Sequence, residues 1–423
     1  MRLRKMAIAC TLSAALTLGS SSVFAASLDD TAGLPGEVSM NKLVSLHVLP
    51  ASGTSYNPDA ALTRGDFVYA LTQVLKLNAP KSVKIKDVSS NSKDYASVAK
   101  VIGNGLLKLD AKGNFNSKKA VTYAEFSRAL AAGLGLKLSW SDRPIDYLFY
   151  LERKGVLDID TDLDAVVTRG AAAVAIDQVI TLKGTFKSDS GVVVELKGDD
   201  AVVLNNGREN VTYKLDKDAS LFLSGQSDDL SSFGPGTAVQ VLLNAKGEIS
   251  FLSGHSLLLE EGSIVYKSGK VSINSTLRNI DLRAVVNPLP NDPNGTFTLK
   301  GFGNYSGAGV TFAGGAYVNN QNDEVTLLDL RVAKAEEKPF TVGFNGLTLD
   351  FSDDALANLS FKVADDVKIT LKAASATDKD QKLTLTELTA LQTGNTLTGT
   401  VEINSDGFVT SIVATAEKKT ENK

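Results

Sequence analysis

The first half of the chain repeats an apolar pattern with the 3.6-residue period of a helix. After Thr63, apolar residues lie at i, i+3, i+4, i+7 and i+8, which places them on one helical face. The same spacing follows Thr122 and Thr168, so three apolar stripes result: Phe67, Ala70, Leu71, Val74 and Leu75; Phe126, Ala129, Leu130, Gly133 and Leu134; Ala172, Ala175, Ile176, Val179 and Ile180. Because one unit of this size buries little surface by itself, we predict that the stripes pack together in one bundle.

Each of the three helices has a Thr-led start, and the starts are 59 and then 46 residues apart. The sequences are Thr63-Arg64-Gly65-Asp66, Thr122-Tyr123-Ala124-Glu125 and Thr168-Arg169-Gly170-Ala171. The first two predict capping boxes, in which hydroxyl and carboxylate satisfy free backbone N–H groups reciprocally. Two of the starts carry an arginine, although a cation at this end of a helix opposes the helix dipole. We therefore expect these arginines to have a specific task.

From about residue 184 the period changes to two, and Gly, Asn and Asp pairs separate the runs, as is typical of β-hairpins. Residues 211–223 resemble 359–371 at an offset of 148, and 241–249 resemble 401–409 at an offset of 160. We predict two related β-modules, 184–255 and 339–416, with a Gly-rich β segment (256–338) between them and a charged tail (417–423). The fold class is thus α+β and multidomain, with helices first and all-β modules after them.

The N-terminus has the features of a secretory signal, which we assign to residues 1–25, followed by a linker (26–36). Three cations precede a short apolar stretch, and small residues stand at the cleavage position. Cys10, inside this stretch, is the only cysteine, so the mature chain has no disulfide or cysteine metal site. Removal of the three leader cations changes the formal charge from −4 to about −7. We therefore predict a secreted protein that binds no nucleic acid and has no membrane span after cleavage.

The sequence contains few patterns that indicate a metal, cofactor or catalytic site. Asp158, Asp160, Asp162 and Asp164 place carboxylates close together, as calcium ligands would be, but the run lacks the glycine and the closing glutamate of an EF-hand. We assign no metal, cofactor or catalytic residue, and keep calcium at this run as an alternative.

The helical half resembles the S-layer homology family, a wall-anchoring module of bacteria. Its second repeat carries the resemblance best: Ile85-Lys86-Asp87-Val88, Gly113-Asn114-Phe115-Asn116 and Val121-Thr122-Tyr123-Ala124-Glu125-Phe126 are similar to the opening, turn and signature of that family. Leu62-Thr63-Arg64-Gly65-Asp66-Phe67 and Val167-Thr168-Arg169-Gly170-Ala171 are the other two copies of the signature. We expect three motifs, at about 37–80, 81–137 and 138–183.

The resemblance implies a pseudo-threefold bundle that binds secondary cell-wall polymer, usually through a pyruvylated sugar, in grooves between motifs. In that family an arginine of the signature contacts the acidic sugar. The matching residues of this chain are Arg64 and Arg169, whereas Tyr123 replaces the arginine of the second motif. Gly53 and Gly113 complete the expected ligand-binding set. Such a role agrees with general chemistry, because free N–H groups at helix starts attract anions and arginine binds a carboxylate through two parallel hydrogen bonds.

From these features we predict a non-enzymatic protein of the bacterial cell surface. The helical half would anchor it non-covalently to the wall, and the β half would project as part of a surface layer, with self-association, or as a structural or adhesive spacer. The alternative is an anchored extracellular enzyme that acts on polysaccharide. Such enzymes need paired carboxylates in a cleft, commonly with aromatic side chains, and the β half has no tryptophan and only short Asp pairs.

Overall fold

In the computed structural model of the protein, residues 28–78, 83–92, 94–138, 142–290, 297–306, 308–343, 346–349, 359–374 and 378–419 are described. The predicted leader lies outside these ranges. Six helices come first: α1 (Glu37–Ser45), α2 (Arg64–Val74), α3 (Tyr95–Gly103), α4 (Tyr123–Gly133), α5 (Pro144–Glu152) and α6 (Arg169–Lys183). None of the helices in the described ranges is long and apolar enough to cross a membrane.

The three predicted stripes lie on α2, α4 and α6 and form one core. Every stripe residue of α2 and α6 is buried, and so are the first three of α4, while Gly133 and Leu134 are half-buried. Each motif therefore contributes one long helix to a shared interior, since none could bury its stripe alone. The shorter helices close the outside, where α3 packs on α2, α5 on α4 and α1 on α6.

A closed ring of three hydrogen bonds joins the motifs just before the long helices. The N–H of Leu62 donates to the carbonyl of Val167 (2.8 Å), that of Val167 to Val121 (2.9 Å) and that of Val121 to Leu62 (3.0 Å). All three residues are fully buried. The ring gives the helical half a pseudo-threefold arrangement in which each motif contacts both others.

The rest of the chain forms sixteen strands within the described ranges: β1 (Lys187–Lys197), β2 (Ala201–Asn205), β3 (Asn210–Leu223), β4 (Gln226–Ser227), β5 (Ala238–Leu243), β6 (Ile249–Gly254), β7 (Leu257–Lys267), β8 (Lys270–Ile273), β9 (Thr276–Val286), β10 (Val310–Asn319), β11 (Glu324–Val342), β12 (Gly346–Leu349), β13 (Leu359–Leu371), β14 (Gln381–Leu383), β15 (Asn395–Ile403) and β16 (Phe408–Lys418). Three short helical segments lie among them, a 3-10 turn (Leu230–Ser232), α7 (Leu299–Ser306) and α8 (Leu385–Leu391). The α+β class with a β-rich second part is confirmed.

The strands β1, β2, β3, β5 and β6 close into a barrel. β1 to β3 form an antiparallel meander, β3 pairs in parallel with β6, and β5 pairs antiparallel with both β6 and β1. The 3-10 turn lies between the third and fourth strands of this barrel. This order, with the third and fifth strands parallel, is that of the OB-fold, a five-stranded Greek-key barrel.

The same topology occurs twice more. In the second barrel the five strands, in chain order, are β7, β8, β9, β10 and the first part of β11, with α7 before β10. In the third they are the last part of β11, β12, β13, β15 and β16, with α8 before β15. The segment predicted only as Gly-rich β structure is therefore a barrel of the same kind, and the single strand β11 joins it to the next.

The three barrels also share an irregularity in the parallel pairing of their third and fifth strands. In each barrel, a step of five residues along the third strand pairs with a step of only two residues along the fifth strand. The paired positions are Leu215–Ile249 and Ser220–Phe251, Ile280–Val325 and Val285–Leu327, and Val363–Val409 and Lys368–Ser411. The first and third sets differ by the offsets of 148 and 160 that the sequence shows.

Candidate functional site at the junctions between motifs

The start of each long helix is covered by the loop of another motif. We call the contact of the α2 start with residues 115–121 the first junction, that of the α4 start with 161–167 the second, and that of the α6 start with 56–62 the third. At each junction the first two helical N–H groups donate to loop carbonyls at 2.8–3.0 Å. These N–H groups are therefore satisfied within the protein and are not free to bind an anion.

Arg64 lies inside the first junction and is 5% exposed. Its Nε donates to the carbonyl of Phe115 and its Nη2 to that of Lys108, both at 2.8 Å. The guanidinium lies 4.6 Å from the centre of the Phe115 ring and forms an ion pair with Glu125 of the second motif. Burial lowers the pKa of Arg64. The side chain thus connects the first motif to three parts of the second.

Arg169 repeats this arrangement at the third junction and is 9% exposed. Its Nε donates to the carbonyl of Tyr56 at 2.8 Å and its Nη2 to that of Pro50 at 2.5 Å. The guanidinium lies 4.7 Å from the Tyr56 ring centre, and Nη1 is 3.2 Å from Oδ2 of Asp66. Arg169 thereby connects the third motif to the first, in the same way that Arg64 connects the first motif to the second.

The second junction has the same backbone contacts but other side chains. Tyr123 stands at the arginine position and Ala171 at the position of its acidic partner, while Thr161 replaces the aromatic residue under the guanidinium. The Tyr123 ring is half-buried and packs edge-on against Phe126, at 6.3 Å between ring centres. Burial raises its pKa. The second junction therefore lacks both members of the ion pair. Tyr123 and Ala171, which replace them, are 48 residues apart in the sequence.

The same ion pairs change the predicted helix caps. The hydroxyl half of each cap is present, because Thr63 accepts from the N–H of Asp66 at 3.1 Å and Thr122 from that of Glu125 at 3.5 Å. The carboxylate half of the predicted capping boxes is wrong. Both acids turn away from the cap and pair with arginines of other motifs.

Two aspartates ahead of the short helices hold the loops that the arginines contact. Asp87 accepts from the N–H groups of Phe115 (2.6 Å) and Asn116 (2.7 Å), and Asp30 accepts from those of Tyr56 (2.8 Å) and Asn57 (2.7 Å). The bond from Tyr56 is the main cause of the lowered pKa of Asp30. Burial raises the pKa of Asp87, but its two backbone bonds outweigh this and lower it. Asp30 falls in the predicted linker and was not among the predicted functional residues. Asp87, at the matching position of the second motif, was a usable signal for it.

The two glycines of the predicted ligand set lie in turns outside the arginine contacts. Gly53 has φ +63° and Gly113 has φ +82°, both in the left-handed region that favours glycine. A Cβ on Gly53 would meet nothing within 4 Å, and the atoms nearest to one on Gly113 belong to the Lys86 side chain, at 3.6 Å or more. The participation of Arg64, Arg169, Tyr123, Gly53 and Gly113 in ligand binding stays a prediction.

A groove opens beside the first junction, which we call the junction groove. It encloses about 320 Å³ and is lined by cations, two acids and an aromatic ring: Lys108, Lys119, Arg128, Glu125, Asp142 and Tyr147, with neighbouring backbone and apolar groups. Asp142 pairs with Arg128 and lies 3.0 Å from the ammonium of Lys108, whose hydrogen bond lowers the pKa of Asp142. Lys119 is exposed and also lines an adjoining open cavity with Lys118.

One cation of the junction groove has no acidic partner among the described residues. Arg64 engages Glu125, and Asp142 is shared by Lys108 and Arg128. Within the described ranges no hydrogen bond or ion pair engages the ammonium of Lys119, so it can bind an incoming anion. Sequence reasoning missed Lys119, because a lysine in a loop carries no signal of its own.

The aspartate run of the third motif makes turns. Asp158 accepts from the N–H of Asp160, and Asp162 from that of Asp164, both at 3.0 Å. Among the described residues no group of three or more His, Cys, Asp or Glu side chains is placed to hold a metal ion.

The second motif matches a known protein family. The family model of the S-layer homology domain matches residues 84–127, which include α3, the Asp87-held loop and the start of α4. No curated protein matches the chain. The chain therefore contains an S-layer homology domain and is a cell-surface protein associated with the cell wall.

Proposed function

We propose that the helical half anchors the protein non-covalently to an acidic secondary cell-wall polymer, and that the junction groove is its main binding site. The observation that supports this most is Lys119, an unpaired ammonium at the mouth of a groove built on the matched motif. An acidic substituent such as a pyruvyl ketal would bind between Lys119 and Lys108.

In this proposal Arg64 acts mainly by fixing the walls of the junction groove, and Arg169 fixes the corresponding segments at the third junction. Arg64 holds the backbone at Lys108 and the loop at Phe115, and these two segments border the groove. The second junction lacks the ion pair and the aromatic contact, so we expect it to contribute least to binding. The three barrels would project from the anchor as a structural or adhesive part of a surface layer.

Sedimentation of the mature protein (residues 26–423) with isolated cell walls tests the proposal. We expect the protein to sediment with intact walls and to stay in solution after the secondary polymer has been chemically stripped. Lys119→Glu should reduce the bound fraction at least fivefold. Lys214→Glu, an exposed residue of the first barrel, changes the net charge equally and should have no effect. Equal binding of both variants would contradict the assignment of the groove, and binding to stripped walls would contradict the ligand.

A further inference from the structure

The outer face of the first barrel carries a second groove. Its floor consists of two cross-strand rows on β1, β5 and β6, one polar and one more apolar: Ser190–Gln240–Ser253 and Ser188–Leu242–Phe251. Two cavities of about 460 and 360 Å³ lie along these rows and share the three residues of the polar row. Each has the size of a small-molecule site, and their common floor makes them one elongated groove, which we call the barrel groove.

Different parts of the protein close the two ends of the barrel groove. At one end stand Lys42 of α1 and Asp177 of α6. At the other end stand Arg283 of β9 together with Asn319 and Asn322, where β10 turns into β11. The first barrel therefore supplies the floor, while the helical bundle and the second barrel supply the walls.

The charged groups that face the barrel groove each have a partner within the protein. The ammonium of Lys42 lies 3.0 and 2.9 Å from the two carboxylate oxygens of Asp177. Arg283 donates to Asp281 through Nε (2.9 Å) and Nη2 (2.6 Å). Asp189 accepts a 2.6 Å hydrogen bond from a tyrosine hydroxyl. Neither Lys42 nor Arg283 is therefore free to bind an anionic ligand.

The groups that stay open to a ligand are neutral. Gln240 is exposed in the middle of the polar row, with Ser253 beside it. In the described part of the chain no hydrogen bond engages either side chain. The other half of the groove adds the half-buried side chain of Leu242. The barrel groove thus combines amide and hydroxyl groups with an apolar surface.

We propose that the barrel groove binds an uncharged oligosaccharide. Sugar hydroxyls both donate and accept hydrogen bonds, as the open amide and hydroxyl side chains do. The C–H face of a sugar ring can pack on the half-buried Leu242. Two to three sugar units would extend along the rows. This site is separate from the junction groove and differs from it in selecting a neutral rather than an acidic glycan.

Calorimetric titration of the mature protein with chitotetraose, cellotetraose and mannotetraose tests this inference. We expect at least one of these neutral sugars to bind, and the double variant Gln240→Leu/Ser253→Val to weaken that binding at least tenfold. The matched control is Thr398→Val/Thr415→Val, an exposed hydrogen-bonded pair on adjacent strands of the third barrel, which should bind as the wild type does.

Three results would overturn the inference: no binding of any of the three sugars, unchanged binding by the Gln240→Leu/Ser253→Val variant, or equally tight binding of acidic tetragalacturonate. Sedimentation with intact walls, measured on the same variant, separates the two sites. It should be unchanged if the barrel groove acts independently of the anchor.

Discussion

Tyr123 and Ala171 occupy, at the second junction, the two positions that hold an arginine and its acidic partner at the junctions on either side. The first junction has Arg64 with Glu125, and the third has Arg169 with Asp66. A guanidinium buried at the second junction would have no acid to pair with, because Ala171 cannot supply one. The loss of both partners together therefore leaves no buried charge unpaired.

This relationship predicts that the missing ion pair can be rebuilt. Tyr123→Arg alone should destabilise the bundle, because it buries an unpaired charge. Combined with Ala171→Glu, it should destabilise it less than the sum of the single changes, with a coupling energy of about 0.5–3 kcal/mol. Urea unfolding, followed by the helical circular dichroism signal, measures this cycle. Strict additivity would show that the two positions do not meet.

The buried arginines should matter more for stability than ion pairs on the surface. Arg64→Ala leaves two carbonyls and Glu125 without their partner, so we expect a loss of about 3 kcal/mol, at the low end for a broken buried pair because Glu125 keeps partial exposure. Arg143→Ala removes an ion pair whose arginine is 71% exposed, so we expect a clearly smaller loss than for Arg64→Ala. Urea unfolding of both variants checks the contrast, and similar losses would contradict it.

The loop at Asp110 should make the bundle sensitive to acid. Backbone and side-chain hydrogen bonds from Asn114, and one from the Asn116 side chain, lower the pKa of Asp110 from 3.8 to about 2. A group with a lowered pKa stabilises the fold above its unfolded pKa, and this contribution is lost as the pH falls through the folded value. The difference in thermal midpoint between the wild type and Asp110→Asn should therefore be largest above pH 4 and disappear below about pH 2.

A control for this pH series is Asp164→Asn, which removes one carboxylate from the exposed loop of the third motif. Both variants lose one negative charge, so a general charge effect would change their midpoints alike. A midpoint difference for Asp110→Asn that does not vary with pH would contradict the assigned role of its carboxylate.

The sequence predicts local features of the fold well and contacts between distant segments poorly. The stripe from Phe67 to Leu75 is buried as expected, since helical periodicity depends only on near neighbours. The second barrel was not foreseen, because its closure pairs β7 with β10, about fifty residues later in the chain. For the same reason Arg64 is recognisable as a special residue, but its partner Glu125 belongs to another motif and cannot be read from the local pattern.

The barrels should be sensitive to glycines where strands approach closely. A Cβ on Gly399 would lie 2.1 Å from the carbonyl oxygen of Val413 on the neighbouring strand, whereas one on Gly394 would meet nothing within 4 Å. Gly399→Ala should therefore destabilise the third barrel by about 1–3 kcal/mol, and Gly394→Ala should not. Hydrogen exchange of peptides from residues 395–418 measures this, while wall sedimentation should be unchanged. Equal exchange in both variants would contradict the pairing.

In the proposed anchor, a cationic groove on the S-layer homology domain recognises an acidic wall polymer. The most direct test is calorimetric titration of the mature protein with purified secondary polymer, before and after its acidic substituents are removed. We predict binding that weakens as salt is raised, that is lost when the substituents are removed, and that falls at least fivefold in Lys119→Glu. Equal affinity for the neutralised polymer, or for the Lys119→Glu variant, would contradict the account.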